Sequence, residues 1–279
     1  MPDSLVRFRF RGDRIHTVDI PAAGDDTLQP IFFFGIKKGG STMLTRIVRD
    51  LVEASPYTYF ELPREVFNSG LGMFQLTEDV DGAMNRKGYA YGTFRWLPEN
   101  DFLPLDNDNQ KILLVRDPRD IMVSLYYSDK ESHALPAEGP LRDSMEKRRA
   151  YLQSVEVDEY VIEEASTILR HYLRTVQLLA LPNVKVYRYR DIIYDKLSLV
   201  RDIAGYLKIP ADDPIIETVA KAHDQIPKKE KAHAHIRQVH PGNYAKKLKP
   251  ETIAKLDEKF GLIINAFNFN EPIPERPED

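Results

Sequence analysis

The stretch that most constrains this chain is a short apolar run, Ile31-Phe32-Phe33-Phe34, followed at once by a glycine-bounded turn from Gly35 to Gly40. A run with no polar interruption suits a strand buried on both faces, which occurs where helices cover a parallel sheet. From Ser41 to Ala54 the period changes: Leu44, Ile47, Val48, Leu51 and Val52 share one face, while Arg46, Arg49 and Asp50 point away. That is the spacing of an amphipathic helix. Strand, tight turn and helix in this order aim the helix's first backbone N–H groups at the turn and create a place for an anion.

The same alternation continues. Strands are expected at Tyr89–Thr93, Ile112–Val115 and Val184–Tyr187, and Pro118 suits the first turn of a helix running to about Ser128. A long amphipathic helix is expected over 158–181, with Val161, Ala165, Ile168, Leu169, Tyr172 and Val176 inward; two more cover 197–207 and 250–260. The expectation is an α/β fold in three layers, a central parallel sheet flanked by helices. Ahead of it, Val6, Phe8 and Phe10 alternate with arginines, Gly12-Asp13 makes a turn, and Ile15, Val18 and Ile20 follow, the pattern of a β-hairpin. This divides the chain into a hairpin appendage (1–28), a main domain (29–269) and a solvated tail (270–279) carrying three prolines and four acids. Residues 129–144 and 223–249 read as irregular connections, and connections this long usually carry function.

Composition narrows the class. The 279 residues suffice for one large core, and a net charge of −4 gives no basic field for nucleic acid. With no cysteine, disulfides and thiolate metal sites are excluded, which fits a reducing compartment. No apolar run approaches the roughly 18 residues that span a bilayer. A soluble, cytoplasmic protein is expected.

Gly35-Ile36-Lys37-Lys38-Gly39-Gly40-Ser41-Thr42 follows the spacing of the nucleoside-triphosphate loop G-x-x-x-x-G-K-[ST], except that Ser41 stands in the lysine's place. Losing that lysine argues against ATP or GTP chemistry. Lysines sit earlier instead, at Lys37 and Lys38, within reach of a shorter anhydride. A second anchor is Val115-Arg116-Asp117-Pro118-Arg119-Asp120, where a strand ends in arginine and a helix begins at proline; Ser124 lies two turns on, placed to flank one anion with Arg116.

These two segments resemble those of the sulfotransferases that use 3′-phosphoadenosine-5′-phosphosulfate (PAPS), a family with a P-loop-type fold. Lys38-Gly39-Gly40-Ser41-Thr42 resembles the family's 5′-phosphosulfate loop, in a form nearer the heparan-sulfate branch. Arg116 and Ser124 match its 3′-phosphate grip. Tyr187-Arg188-Tyr189-Arg190-Asp191-Ile192 resembles the strand ending in Y-E-D-L, which puts Tyr189 beside the adenine. Arg237, followed by Pro241-Gly242-Asn243-Tyr244, resembles the late R-K-G-x-x-G-D-W segment that closes over the 3′-phosphate. The four motifs occur in family order.

The resemblance implies transfer of a sulfuryl group from PAPS to a hydroxyl or amine, with PAP as product and no metal. Lys38 and the loop N–H groups would stabilise the leaving oxygen. The chain departs from the pattern at Met43, where tryptophan is common, at Gln238-Val239, where lysine and glycine are usual, and at Gly92–Pro98, which lacks the cytosolic branch's catalytic histidine. The heparan-type branch uses a glutamate as base; Glu61 fits its spacing better and Glu65 its local Glu-Val pattern. His133 ranks below both. His233, His235 and His240 lack the spacing of a metal site. Tyr57, Tyr59, Phe60, Phe67, Phe74, Phe94, Trp96, Tyr126 and Tyr127 belong either to the core or to an apolar acceptor pocket. The acceptor class stays open between small molecule, lipid and saccharide, as does oligomeric state. The rival readings are a P-loop kinase and a non-catalytic PAP-binding relative.

Overall fold

A computed structural model describes residues 4–95, 97, 102–105, 108–224 and 239–274. The strands are β1 (Leu5–Phe10), β2 (Arg14–Asp19), β3 (Ile31–Gly35), β4 (Thr58–Phe60), β5 (Leu76–Asp79), β6 (Tyr89–Phe94), β7 (Gln110–Val115) and β8 (Val184–Arg188). The helices are α1 (Ser41–Val52), α2 (Leu62–Asn68), α3 (Pro118–Tyr127), α4 (Pro140–Leu152), α5 (Val157–Gln177), α6 (Tyr189–Ile192), α7 (Lys196–Tyr206), α8 (Ile215–His223), α9 (Tyr244–Lys247) and α10 (Pro250–Ala266).

Five strands form the central sheet in the order β4-β6-β3-β7-β8, with every neighbouring pair parallel. The α/β reading therefore holds, and β3 lies at the centre with the glycine turn at its C-terminal end. The two faces of β3 separate two cores. Phe32 and Phe34 join Leu113, Val115, Tyr160, Tyr172 and Phe260 on one side, beneath α3, α5 and α10. Ile31 and Phe33 join Leu44, Ile47, Ile112, Leu114 and Val200 on the other, beneath α1, α7 and α8. Alternation along one strand thus divides the helices into two layers. Full burial of a phenylalanine such as Phe33 contributes about 1.5–3 kcal/mol.

The hairpin is present, with Leu5 opposite Asp19 and Phe10 opposite Arg14. Its partner is a finding: β1 also pairs antiparallel with β5, and Val6, Phe8 and Phe10 are buried in the same core cluster as α3 and α5. Residues 129–144 are less irregular than expected. Ser128–Ser132 winds on from α3 as a wide π-type turn, and α4 begins at Pro140. Only Leu152 of α4 is buried, so that helix carries almost no apolar stripe in sequence. The long helix ends at Gln177 and tightens into a 3₁₀ turn to Ala180, whereas the last helix runs on to Ala266. Of the nine aromatic residues singled out, Tyr57, Phe60, Phe94 and Tyr126 are core, Phe74 is exposed, and Trp96 lies outside the described residues.

Candidate active site

The turn after β3 is shaped by its own backbone. Lys37 N–H donates to the Arg95 carbonyl at 3.1 Å and Gly39 N–H to that of Ile36 at 2.7 Å. Lys38 adopts φ of 64°, a left-handed conformation that costs a non-glycine residue about 1–2 kcal/mol. Gly40 follows at φ of 100°, and a Cβ there would sit 2.9 Å from the Tyr189 ring. Glycine is needed at Gly40 for both reasons. Gly40 also leaves α1 without a side-chain cap, and no acid stands in that helix's first turn. Ser41 is buried and Thr42 half-buried at this end, so the free N–H groups there face the turn with positive polarity.

Lys38 is held unusually for a lysine. Burial, with the Lys37, Arg116 and Arg95 cations nearby, pushes its ammonium down to about 8, and Asp129 opposes this in part. Lys37 lies 3.7 Å from Asp129.

Arg116, at the end of β7, is bound from several sides. Its Nη1 donates to the Lys38 carbonyl at 3.2 Å, its Nη2 lies 3.6 Å from Asp120, and its guanidinium stacks 4.5 Å from the Tyr189 ring centroid. The Tyr172 hydroxyl donates to its carbonyl. Its Nε, by contrast, is buried with no hydrogen-bond partner among the described residues, and an orphaned charged donor of this kind is costly unless something binds there. Tyr189, at the start of α6, fills the gap between Gly40 and Arg116 and donates its hydroxyl to the Val239 carbonyl at 2.9 Å; burial raises that hydroxyl to about 12. Ser124 is half-buried on α3.

Asp120 was not singled out from the sequence, although it lies inside the arginine motif. Its carboxylate accepts from Gly242 N–H at 2.9 Å and Tyr244 N–H at 3.1 Å, so it holds the late Pro241–Tyr244 segment against Arg116. Arg119 supports the same segment, pairing with Asp117 and Asp257 at 2.6 and 2.7 Å and lying 4.3 Å above the Tyr244 ring. Arg237 lies outside the described residues. Beside Arg116 is a cavity of about 150 Å³, whose lining includes Arg190, Gly242 and Ile273. Arg190 grips the carbonyls of Phe269 and Glu271 at 3.1 and 2.5 Å, which fastens the junction of main domain and tail beside the cavity.

Of the two glutamates, Glu61 directly precedes α2 and pairs with Arg49 at 2.9 Å. Burial raises its carboxyl, against the pull of Arg49, Arg95 and Arg64. Glu65 is half-buried one turn into α2. Among the described residues, no group of three His, Asp or Glu side chains is placed to hold a metal ion.

The structure therefore brings together an uncapped helix N-terminus, a desolvated lysine and a buried arginine with an orphaned donor. They fit an anion with two charged groups, one at the turn and one at Arg116. Residues 93–264 match the sulfotransferase domain family, more than half of the chain, and the chain belongs to that family. It is a transferase of sulfuryl groups. Among solved structures it is similar to mouse sulfotransferase SULT7A1 complexed with PAP, with a TM-score of 0.57 and 15% identity over 94% of this chain and 95% of that one. It is also similar to a retinol dehydratase in complex with androsterone and inactive cofactor PAP (TM-score 0.45, 15% identity, 84% of this chain and 80% of that one). A third similar structure is a sulfotransferase from Alicyclobacillus acidocaldarius (TM-score 0.43, 14% identity, 90% and 96%). No curated protein sequence matches the chain significantly. At such identities the first of these likenesses speaks for the fold. Among the described residues, no helix is long and apolar enough to cross a membrane.

Proposed function

We propose that the chain transfers a sulfuryl group from PAPS to a hydroxyl or amine of a small-molecule, lipid or saccharide acceptor in the cytoplasm, within a catalytic domain spanning 29–269. The observation that carries the donor assignment is Arg116: a buried guanidinium whose Nε has no partner among the described residues, beside a phosphate turn that lacks the lysine of nucleotide hydrolases.

The bound donor supplies an activated sulfuryl group joined through oxygen to its 5′-phosphate. Lys38 and the N–H groups of Gly40, Ser41 and Thr42 would hold that end, and Arg116, Ser124 and Arg237 the 3′-phosphate. Tyr189, against which Arg116 stacks, would lie beside the adenine. Charge gathers on the oxygen that leaves, and donors already aimed at it spare the cost of reorganisation. The grip on the 3′-phosphate uses binding energy remote from the reaction to orient the donor and to exclude ADP. Glu61 and Glu65 are the sequence-based choices for the base.

Calorimetry tests the assignment. PAP should bind, with ADP weaker by roughly 10–100-fold, the worth of charge-assisted hydrogen bonds to one phosphate. Arg116→Ala should erase that difference. Equal binding of PAP and ADP, or preference for Mg-ATP, would move the chain to the kinase class.

A further inference from the structure

An alcohol or phenol acceptor must give up a proton, and Glu61 is ill suited to take it because its carboxylate is already engaged by Arg49. Resting on the sulfotransferase reading, we propose that His133 is the general base of the reaction.

The turn Ser128–Ser132 is tied to the phosphate loop by Asp129, which lies 3.7 Å from Lys37 and also takes Arg148 at 3.1 Å. His133 closes this turn. Its N–H donates to the Ser128 carbonyl at 2.8 Å, and its own carbonyl accepts from Arg149 Nη2 at 2.6 Å. The histidine is therefore fixed at both ends of its peptide unit, on a turn held down onto the phosphate loop.

Nδ1 lies 2.9 Å from the Ala134 carbonyl. A carbonyl can only accept, so Nδ1 carries the hydrogen and Nε2 keeps its lone pair. The ring is half-buried, and Nε2 is the atom able to take a proton.

The groups acting on the ring are Lys37 and Lys38 from the phosphate loop and Asp129 from its own turn, with Arg149 of α4 bound to its carbonyl. Burial and the two ammonium groups hold the imidazole down to about 4, against the hydrogen bond to the Ala134 carbonyl and the Asp129 carboxylate. The base thus starts unprotonated at neutral pH. An anion placed on the two lysines cancels part of their repulsion and raises the ring's affinity for a proton. His133 therefore becomes a stronger base when the donor is in place.

In the step itself the acceptor's O–H bond breaks and its proton passes to Nε2. The oxygen's electron pair forms the bond to sulfur as the bond from sulfur to the 5′-phosphate oxygen breaks. That oxygen keeps the pair and meets Lys38, and the imidazolium returns its proton to solvent.

The test uses the full chain with labelled histidines, His133→Gln assigning the signal among the seven. Nuclear magnetic resonance should show the Nδ1–H tautomer and a midpoint near pH 4 that rises by at least about one unit in saturating PAP. An Nε2–H tautomer, or a midpoint unmoved by PAP, overturns the proposal. Release of PAP from PAPS, measured with phenol, which keeps its proton at neutral pH, and with water alone, should fall about 10²–10⁴-fold in His133→Gln while PAP affinity stays within about twofold. Undiminished release overturns it as well. Failure of the unaltered protein to bind PAP would sink the sulfotransferase reading itself, whereas PAP binding with an unresponsive His133 sinks this inference alone.

Discussion

The two ends of the donor groove treat their cations in opposite ways. Arg116 is surrounded by partners: the Asp120 carboxylate, the Lys38 carbonyl and the Tyr189 ring. Lys38 is surrounded by its own kind, with Lys37, Arg95 and Arg116 nearby and its ammonium down to about 8. A guanidinium keeps its charge whatever surrounds it and can be built in as a fixed anchor. An ammonium is compact and readily loses its charge when desolvated, and here burial and neighbouring cations outweigh the nearby Asp129 carboxylate. On the proposed reading, one end binds the donor and the other reacts.

Lys38→Gly separates these roles most sharply. Release of PAP from PAPS should fall about 10²–10³-fold, the loss of one donor aimed at the leaving oxygen. Stability should rise by about 1 kcal/mol, since glycine accepts the left-handed conformation without strain. The charge adds to this gain below pH 8. A lysine whose folded value lies under its unfolded one costs stability there, and the cost fades as pH climbs from about 8 toward its ordinary value of 10.5. Thermal melts at pH 7 and pH 10 check it; a variant less stable at pH 7 would mean Lys38 is structural.

At the binding end, Asp120→Asn should cost about 1–3 kcal/mol, because the carboxylate serves two backbone N–H groups and Arg116 together. Denaturant titration reads that loss, and an unchanged midpoint would show that the late segment is held by Arg119 and Tyr244 instead.

The reacting end has a pH signature. In the free protein kcat/KM for the donor should fall as pH rises through about 8, where Lys38 loses its proton, by up to about tenfold per unit. Lys38→Arg should remove that limb, since a guanidinium does not titrate there. A limb unaffected by the replacement would assign it to another group. The smallest effect is expected far away. Arg9→Ala breaks an exposed pair with Glu78, 2.7 Å apart on the small antiparallel sheet, and should leave PAP affinity unchanged by calorimetry.

Much of this was legible because both anchors follow apolar runs. The strands at Ile31 and Ile112 are buried on both faces and bounded by glycine or proline, so the turn and the arginine could be placed at their ends. β4 and β5 escaped because they have three and four residues of mixed polarity. α4 escaped because its one buried residue leaves no period to read. Asp120 has the same spacing in sequence whether it caps, pairs or points to water; only the approach of Gly242, 122 residues away, gives it a task. His133 is similar. A single loop histidine carries no pattern, and its ring's setting depends on Lys37 and on Arg149, which arrive from elsewhere in the chain.

The grip of Arg190 on the carbonyls of Phe269 and Glu271 bears on how the protein comes to be made. The groove draws on residues from Gly35 to Glu271, so a chain leaving the ribosome can form β3, its turn and α1 long before the cavity beside Arg116 has its far wall. Contacts so distant in sequence form late, after most of the entropy of closing the intervening chain has been met. Retention on immobilised PAP is therefore a readout of the whole chain having folded, and fragments ending before Phe269 should pass through the column.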